Sequence, residues 1–186
     1  MKKIVWTFGL ISGVLLSAMM FVSITLVDRM GLEHSMVLGY TTMVLAFLLV
    51  YFGIRSYRDN VGGGTVGFGR AMGVGMLIML ISSACYVATW EVMYFKMMPD
   101  FLDKYTAQAL AEAKAGGASQ QELDKQAREM AEFKEQYKNP LVNVAYTLME
   151  PLPVGIVMTL VSAGMLSRRR RPEVEAQRER VTVGAA

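Results

Sequence analysis

Four long apolar stretches constrain the fold of this chain more than any other feature of its sequence. A helix needs about 20 apolar residues to cross the roughly 30 Å hydrocarbon core of a bilayer. Each stretch reaches that length and carries at most one charged residue. The pattern therefore predicts an all-α integral membrane protein with four transmembrane helices. The predicted spans cover residues 4–27, 35–54, 71–95 and 141–166.

Composition supports a membrane protein over a soluble one. The chain is 53% hydrophobic and 19% charged, whereas soluble domains carry about 25% charged residues. The first stretch follows two lysines, as a signal peptide would. This stretch is longer than the roughly 7–15 apolar residues of a signal peptide, so we expect it to be retained as a membrane anchor and not cleaved.

Basic residues predict how the four spans are oriented. Lysine and arginine favour the cytoplasmic side of a membrane. The long segment 96–140 holds seven basic and eight acidic residues, so it lacks the excess of basic residues that is typical of cytoplasmic segments. We expect both termini inside the cell (N-in/C-in) in a multi-pass protein of a bacterial inner (plasma) membrane. The strongly basic groups are Lys2 and Lys3, then Arg55, Arg58 and Arg70, and finally the four arginines at 168–171.

The segment 96–140 predicts an extracytoplasmic helical hairpin between the third and fourth spans. Pro99 can open its first helix and Gly116-Gly117 can end it. Ser119 and Glu122 then have the spacing of a capping box, which starts a second helix. An amphipathic hairpin over the mouth of the bundle explains the segment, and a partner-docking or gating surface is the alternative. Residues 1–171 form the predicted membrane domain, and 172–186 a disordered cytoplasmic tail.

Small residues recur at helical spacing and predict where helices pack closely. Gly9, Gly13 and Ser17 share one face of the first span, and Gly69 and Gly73 share one face at the start of the third. Such faces let helix backbones approach each other in membranes. We expect these seams to lie within one chain, although contact between two chains would use the same pattern.

Motifs for catalysis or cofactors do not occur in the sequence. Residues 62–67 match the glycine pattern of a dinucleotide site, but no strand is predicted before them, so they indicate a turn. The single histidine and the single cysteine, Cys85, leave no metal-binding spacing. We therefore expect no catalytic residue, no metal, no cofactor and no enzymatic activity, and we expect no nucleic acid among the partners.

Two glutamates inside predicted spans are the strongest functional signal. Glu91 and Glu150 are costly to place in a membrane, and such residues commonly bind ions or protons. The prolines after Glu150 interrupt helix hydrogen bonding and can free carbonyl groups. Alternatively, both carboxylates lie in the hydrated interface among aromatic residues typical of that depth. The candidate ion, proton or helix-pairing site comprises Glu91, Glu150, Trp90, Tyr94, Pro151 and Pro153.

Several segments resemble one bacterial membrane-protein family. They are YFGIRSYRD at 51–59, FGRA at 68–71, CYVATWEV at 85–92, MPDF at 98–101 and EPLPVG at 150–155. The family is catalogued as domain of unknown function 4199. The resemblance runs from the first span to about Leu166 and implies a four-span inner-membrane protein. It supplies no activity, substrate, cofactor or catalytic residue.

Two functions remain open on the sequence. The first is a non-enzymatic accessory or assembly component of the cell envelope. The second is a small oligomeric carrier of an ion or solute that uses Glu91 and Glu150. The expected partners are the lipid bilayer and either a second copy of the chain or another membrane protein.

Overall fold

The computed structural model describes residues 1–30 and 32–167, and the side chains within 1–24 and 37–167. The described residues are 88% helical and contain no strand. The basic group at 168–171 and the predicted tail at 172–186 lie outside this part of the chain. The elements are α1 (Lys2–Met30), α2 (Leu32–Asn60), α3 (Phe68–Val92), a π-helical turn (Met93–Met97), α4 (Phe101–Ala115), α5 (Gln120–Tyr137), α6 (Pro140–Met149) and α7 (Pro151–Leu166).

Four of the helical segments are long and apolar enough to cross a membrane, which confirms the predicted number of spans. They indicate a multi-pass membrane protein. Their outward faces carry exposed apolar side chains such as Leu10, Val14 and Phe52, as lipid contact requires. The spans run over Lys2–Ile24, Val37–Asn60, Phe68–Met97 and Pro140–Leu166.

The first glycine seam packs α1 against α3, as predicted for an intrachain contact. A Cβ added at Gly9 would lie 2.8 Å from Cγ2 of Ile81, and one at Gly13 would lie 2.7 Å from Cβ of Cys85. Both positions therefore require glycine for this close approach. In contrast, an added Cβ at Gly69 or Gly73 meets nothing within 4 Å, so that pair packs against no described part of this chain.

Short polar side chains tie the same helices together. Ser82 Oγ donates to the carbonyl of Gly9 at 3.1 Å, and the hydroxyl groups of Ser17 and Thr89 are hydrogen-bonded to each other at 2.9 Å. Ser12 Oγ likewise donates to the carbonyl of a residue in α2 at 3.0 Å. Interhelical hydrogen bonds of this kind contribute about 0.6 kcal/mol each on average in membranes.

The fourth span is divided at Glu150, where α6 ends and α7 begins. Pro151 and Pro153 have no amide hydrogen, so the carbonyls four residues earlier, at Thr147 and Met149, lose their helical donors. The structure thus confirms the predicted interruption of helix hydrogen bonding at this point.

The segment between the third and fourth spans forms the predicted helical hairpin. Gly117 adopts φ +89°, a conformation that favours glycine, and ends the turn after α4. Ser119 and Glu122 form the predicted capping box at the start of α5. Since consecutive spans run antiparallel, the hairpin lies at the same end of the bundle as the connection between α1 and α2.

Candidate functional site

A cavity of about 600 Å³ lies between the four spans and the hairpin. Its walls come from the second half of α1, the first half of α2, the end of α3 and the region around the α6–α7 break. The first turns of α4 and the last turns of α5 close it on the hairpin side. Apolar and aromatic side chains make up most of this lining, and the polar and charged ones are Ser23, Thr42, Asp100, Lys104, Gln108, Thr147 and Glu150.

Glu150 supplies a carboxylate to the cavity. It lies at the junction of α6 and α7, and its side chain is exposed to the cavity space. Tyr86, which is 7% exposed, donates its phenolic hydrogen to Oε2 of Glu150 at 2.7 Å. A hydrogen bond of this length to a charged oxygen is strong. It fixes the carboxylate against α3 while leaving part of it open to a bound molecule.

A chain of hydrogen bonds joins the hairpin to the spans beside Glu150. Trp90 Nε1 donates to the Tyr137 hydroxyl at 3.0 Å, and that hydroxyl lies 3.4 Å from Thr147 Oγ1. Thr147 donates its single hydroxyl hydrogen to the carbonyl of Asn143 at 2.9 Å, so Tyr137 is the donor to Thr147. Burial raises the pKa of Tyr137, which keeps its phenol protonated for this role.

Aromatic rings hold the base of the hairpin on the bundle. Phe101 of α4 meets the Trp90 ring edge-on, with centroids 5.1 Å apart, and Tyr137 of α5 meets Tyr94 edge-on at 5.2 Å. Phe133 makes a third such contact with Tyr146 of α6 at 5.2 Å. Edge-to-face pairs add about 0.5–1.5 kcal/mol each beyond the area they bury. Both arms of the hairpin are therefore anchored at their bases.

Ion pairs organise the rest of the hairpin base. Lys134 of α5 donates to Asp103 of α4, which ties the two arms together. This hydrogen bond raises the pKa of Lys134. Asp100 pairs with Lys104 at 2.9 Å on the rim of the cavity, and the hydrogen bond from Lys104 lowers the pKa of Asp100.

The structure places some of the predicted site residues on the cavity and others away from it. Trp90 and Glu150 line the cavity, and Tyr94 stacks on Trp90 with ring centroids 5.8 Å apart. Trp90 and Tyr94 are both buried against the hairpin, which is not the exposure of a lipid-facing aromatic belt. Pro151 is buried at the helix break, and Pro153 is exposed.

Glu91 lies outside the described lining of the cavity. Five residues separate it from Tyr86, which places it about 140° further round α3 and roughly 7.5 Å along it. Because Tyr86 contacts Glu150, Glu91 lies on a different side of α3 from Glu150 and at a different depth along the bundle. Oε1 of Glu91 is buried and has no hydrogen-bond partner among the described residues, and the same holds for Nδ2 of Asn143.

Several residues of the site were not predicted from the sequence. Tyr86 is one of them: with the predicted residues Trp90 and Tyr94 it recurs every four residues at the end of the third span, and this spacing was a signal that one face of that span is aromatic. Tyr137 gave no such signal, because its partner Trp90 lies 47 residues earlier in the chain. Within the described residues, no group of three or more His, Cys, Asp or Glu side chains is placed to hold a metal ion.

Comparison with known proteins identifies one family. A family model described as "Protein of unknown function (DUF4199)" matches residues 7–168. The comparison with curated proteins gave no match, and neither did the comparison with solved structures. The match covers all four candidate spans, apart from the first residues of α1, and the whole hairpin.

Proposed function

This chain belongs to the DUF4199 family, and we propose that it is a non-enzymatic accessory component of the cell envelope that holds an amphiphilic molecule beneath its hairpin. The cavity of about 600 Å³ carries this proposal. Binding sites for small molecules have volumes of about 300–1,000 Å³, mostly apolar walls and a few well-placed polar groups. The cavity has all three properties, with Glu150 as its principal polar group.

The orientation of the chain is part of the same proposal. Positive residues at the N-terminus, at the end of α2 and at the start of α3 support an N-in/C-in arrangement in a bacterial inner membrane. The hairpin and the cavity mouth then lie on the extracytoplasmic side. A molecule could enter from that side or from the outer leaflet of the membrane.

Gly39 offers a direct test, because it lines the cavity and a Cβ added there meets nothing within 4 Å. Gly39→Phe should place its ring in cavity space, since its Cβ meets no described neighbour. Gly73→Phe is the matched control, since Gly73 is equally open but lies outside the lining. Both changes replace a helical glycine by the same residue, so their effects on helix propensity are comparable.

The measurement is native mass spectrometry of the protein purified from membranes in a mild detergent. We expect the wild type and Gly73→Phe to carry an additional bound mass, and Gly39→Phe to lose most of it. Equal occupancy in all three proteins, or no bound mass in any, would contradict the proposed function. The melting temperature of each variant reports whether it is folded.

A second function, that of a small carrier for an ion or solute, is favoured by Glu91. Its buried oxygen without a described partner is costly unless a proton or cation occupies it. Substituting Glu91→Gln or Glu150→Gln should then abolish ion-dependent flux in proteoliposomes, and retained flux in both variants rejects this function. Because four spans are few for a carrier, a second copy would be needed, and the open face at Gly69 and Gly73 could receive it.

A further inference from the structure

The charge of the cavity points to the class of molecule that it holds. Among its described lining residues, three side chains are charged: Asp100, Lys104 and Glu150. Asp100 and Lys104 pair with each other on the rim. The Glu150 carboxylate is held by the uncharged Tyr86 hydroxyl instead. The described part of the lining therefore carries an excess negative charge at Glu150, which favours a cation.

The aromatic rings that line the cavity with Glu150 indicate which kind of cation it would bind. Tyr40, Tyr86, Trp90, Tyr137 and Tyr146 all line the same cavity. Faces of aromatic rings attract cations, and quaternary ammonium groups are commonly bound in this way. Ca²⁺ requires six to eight oxygen ligands and Mg²⁺ an octahedral set. One carboxylate among aromatic rings suits an organic ammonium group better than either metal.

Apolar side chains of α1 and α2 line the same cavity as this carboxylate. Leu16 and Met20 of α1 and Met43 of α2 are buried core residues that also line it. Ser17 is level with Thr89, to which it is hydrogen-bonded, so Leu16 lies within about one helical turn of Tyr86 and Glu150 in depth. A ligand with its charge at Glu150 can thus place an alkyl chain against α1 and α2.

We infer that the cavity binds an amphiphilic organic cation, with its ammonium group at Glu150 among the aromatic rings and its alkyl chain against α1 and α2. This inference rests on the proposed function, because it names the chemistry of the molecule held beneath the hairpin. The ammonium could belong to a free alkylamine or to the headgroup of an amine-bearing lipid.

Trp90 provides the readout for the test. The chain has two tryptophans, and Trp6 lies on the exposed face of α1, outside the cavity. Trp6→Phe therefore leaves Trp90 as the only tryptophan, with its indole in the lining. The probe is octyltrimethylammonium, added to this variant in neutral maltoside micelles. Octanol and octyl sulfate are the neutral and anionic probes with the same chain length.

Octyltrimethylammonium should change the Trp90 emission saturably, and octyl sulfate should not. Glu150→Gln should weaken binding of the cation by at least about tenfold, because a pair of opposite charges at contact distance is lost. Glu129→Gln makes the same chemical change on an exposed residue outside the lining, and it should leave binding unchanged. The emission wavelength without ligand checks that the Glu150→Gln cavity is intact.

The outcomes separate the inference from the proposed function. If all three probes bind alike and Glu150→Gln has no effect, the cationic preference is wrong while the binding function stands. If no probe binds and Gly39→Phe changes no bound mass, both fail. Competition against octyltrimethylammonium then identifies the source of the ammonium group. Stronger competition by dihexanoyl phosphatidylethanolamine than by octylamine assigns the site to a lipid headgroup, and the reverse order assigns it to a free amine.

Discussion

The contact between Trp90 and Tyr137 should control how firmly the hairpin closes the cavity. Tyr137→Phe removes one hydroxyl and keeps the ring contacts with Tyr94, Phe133 and Tyr146. The indole N–H of Trp90, a residue only 9% exposed, then loses its acceptor. A buried donor left without a partner costs about 1–3 kcal/mol.

This cost converts directly into a measurable opening of the hairpin. Every 1.4 kcal/mol changes an equilibrium constant tenfold, so the open population should rise about 5–150-fold. Hydrogen–deuterium exchange followed by mass spectrometry measures such local opening. Faster exchange is expected at the hairpin base, in residues 101–106 and 133–137. The tip, residues 112–124, should exchange as in the wild type, because it lies far from the lost bond.

Tyr105→Phe is the matched control for this experiment. Tyr105 lies on the same hairpin and also lines the cavity, but the structure describes no hydrogen bond from its hydroxyl, and its stacking on Phe101 is kept. Its exchange should match the wild type. Unchanged protection of the base in Tyr137→Phe, or an equal loss in both variants, would refute the assignment of this bond as the anchor of the hairpin.

Three further predictions follow from the packing and the charges. The raised pKa of Lys134 means that its ion pair with Asp103 stabilises the hairpin at neutral pH and up to about 10.4, the ordinary lysine value. The protection factor at the base, which is the intrinsic exchange rate divided by the measured one, should fall as the pH rises beyond that value, and a fall between pH 7 and 9 would contradict this. In a cysteine-free background, a membrane-impermeant maleimide should label Ala115→Cys in intact cells and leave Thr65→Cys unlabelled; the opposite pattern would reverse the proposed orientation. Gly13→Ala should destabilise the bundle by about 1–3 kcal/mol through overpacking, and it should lower the melting temperature in detergent. Gly73→Ala should not lower it, and equal effects of the two changes would contradict close packing of α1 against α3 at Gly13.

Most of the fold could be predicted from local patterns in the sequence. The spans follow from uninterrupted apolar length, and the start of α5 follows from Ser119 and Glu122 three residues apart. The break at Glu150 follows from two prolines that cannot donate hydrogen bonds. Each of these features depends on residues within one helix or turn, so no tertiary information was needed.

The site could be predicted only in part, because its contacts join distant residues. Glu150 was singled out by its charge, but its partner Tyr86 lies 64 residues earlier and looks like an ordinary core residue. Glu91 had the same charge signal, and only the rotation of α3 places it outside the cavity lining. Similarly, Gly9 and Gly69 begin identical spacings, yet only Gly9 faces another described helix.

Photo-crosslinking in living cells tests the central claim most directly, namely that the space beneath the hairpin is an occupied binding site. A benzophenone amino acid is placed at Tyr146, which lines the cavity, and separately at Phe52, which is exposed on the outer face of α2. Tyr146 should give an adduct of one discrete mass that disappears in the Gly39→Phe background. Phe52 should give a mixture of bulk-lipid adducts that Gly39→Phe does not alter. Identical adducts from both positions, unaffected by Gly39→Phe, would contradict the claim.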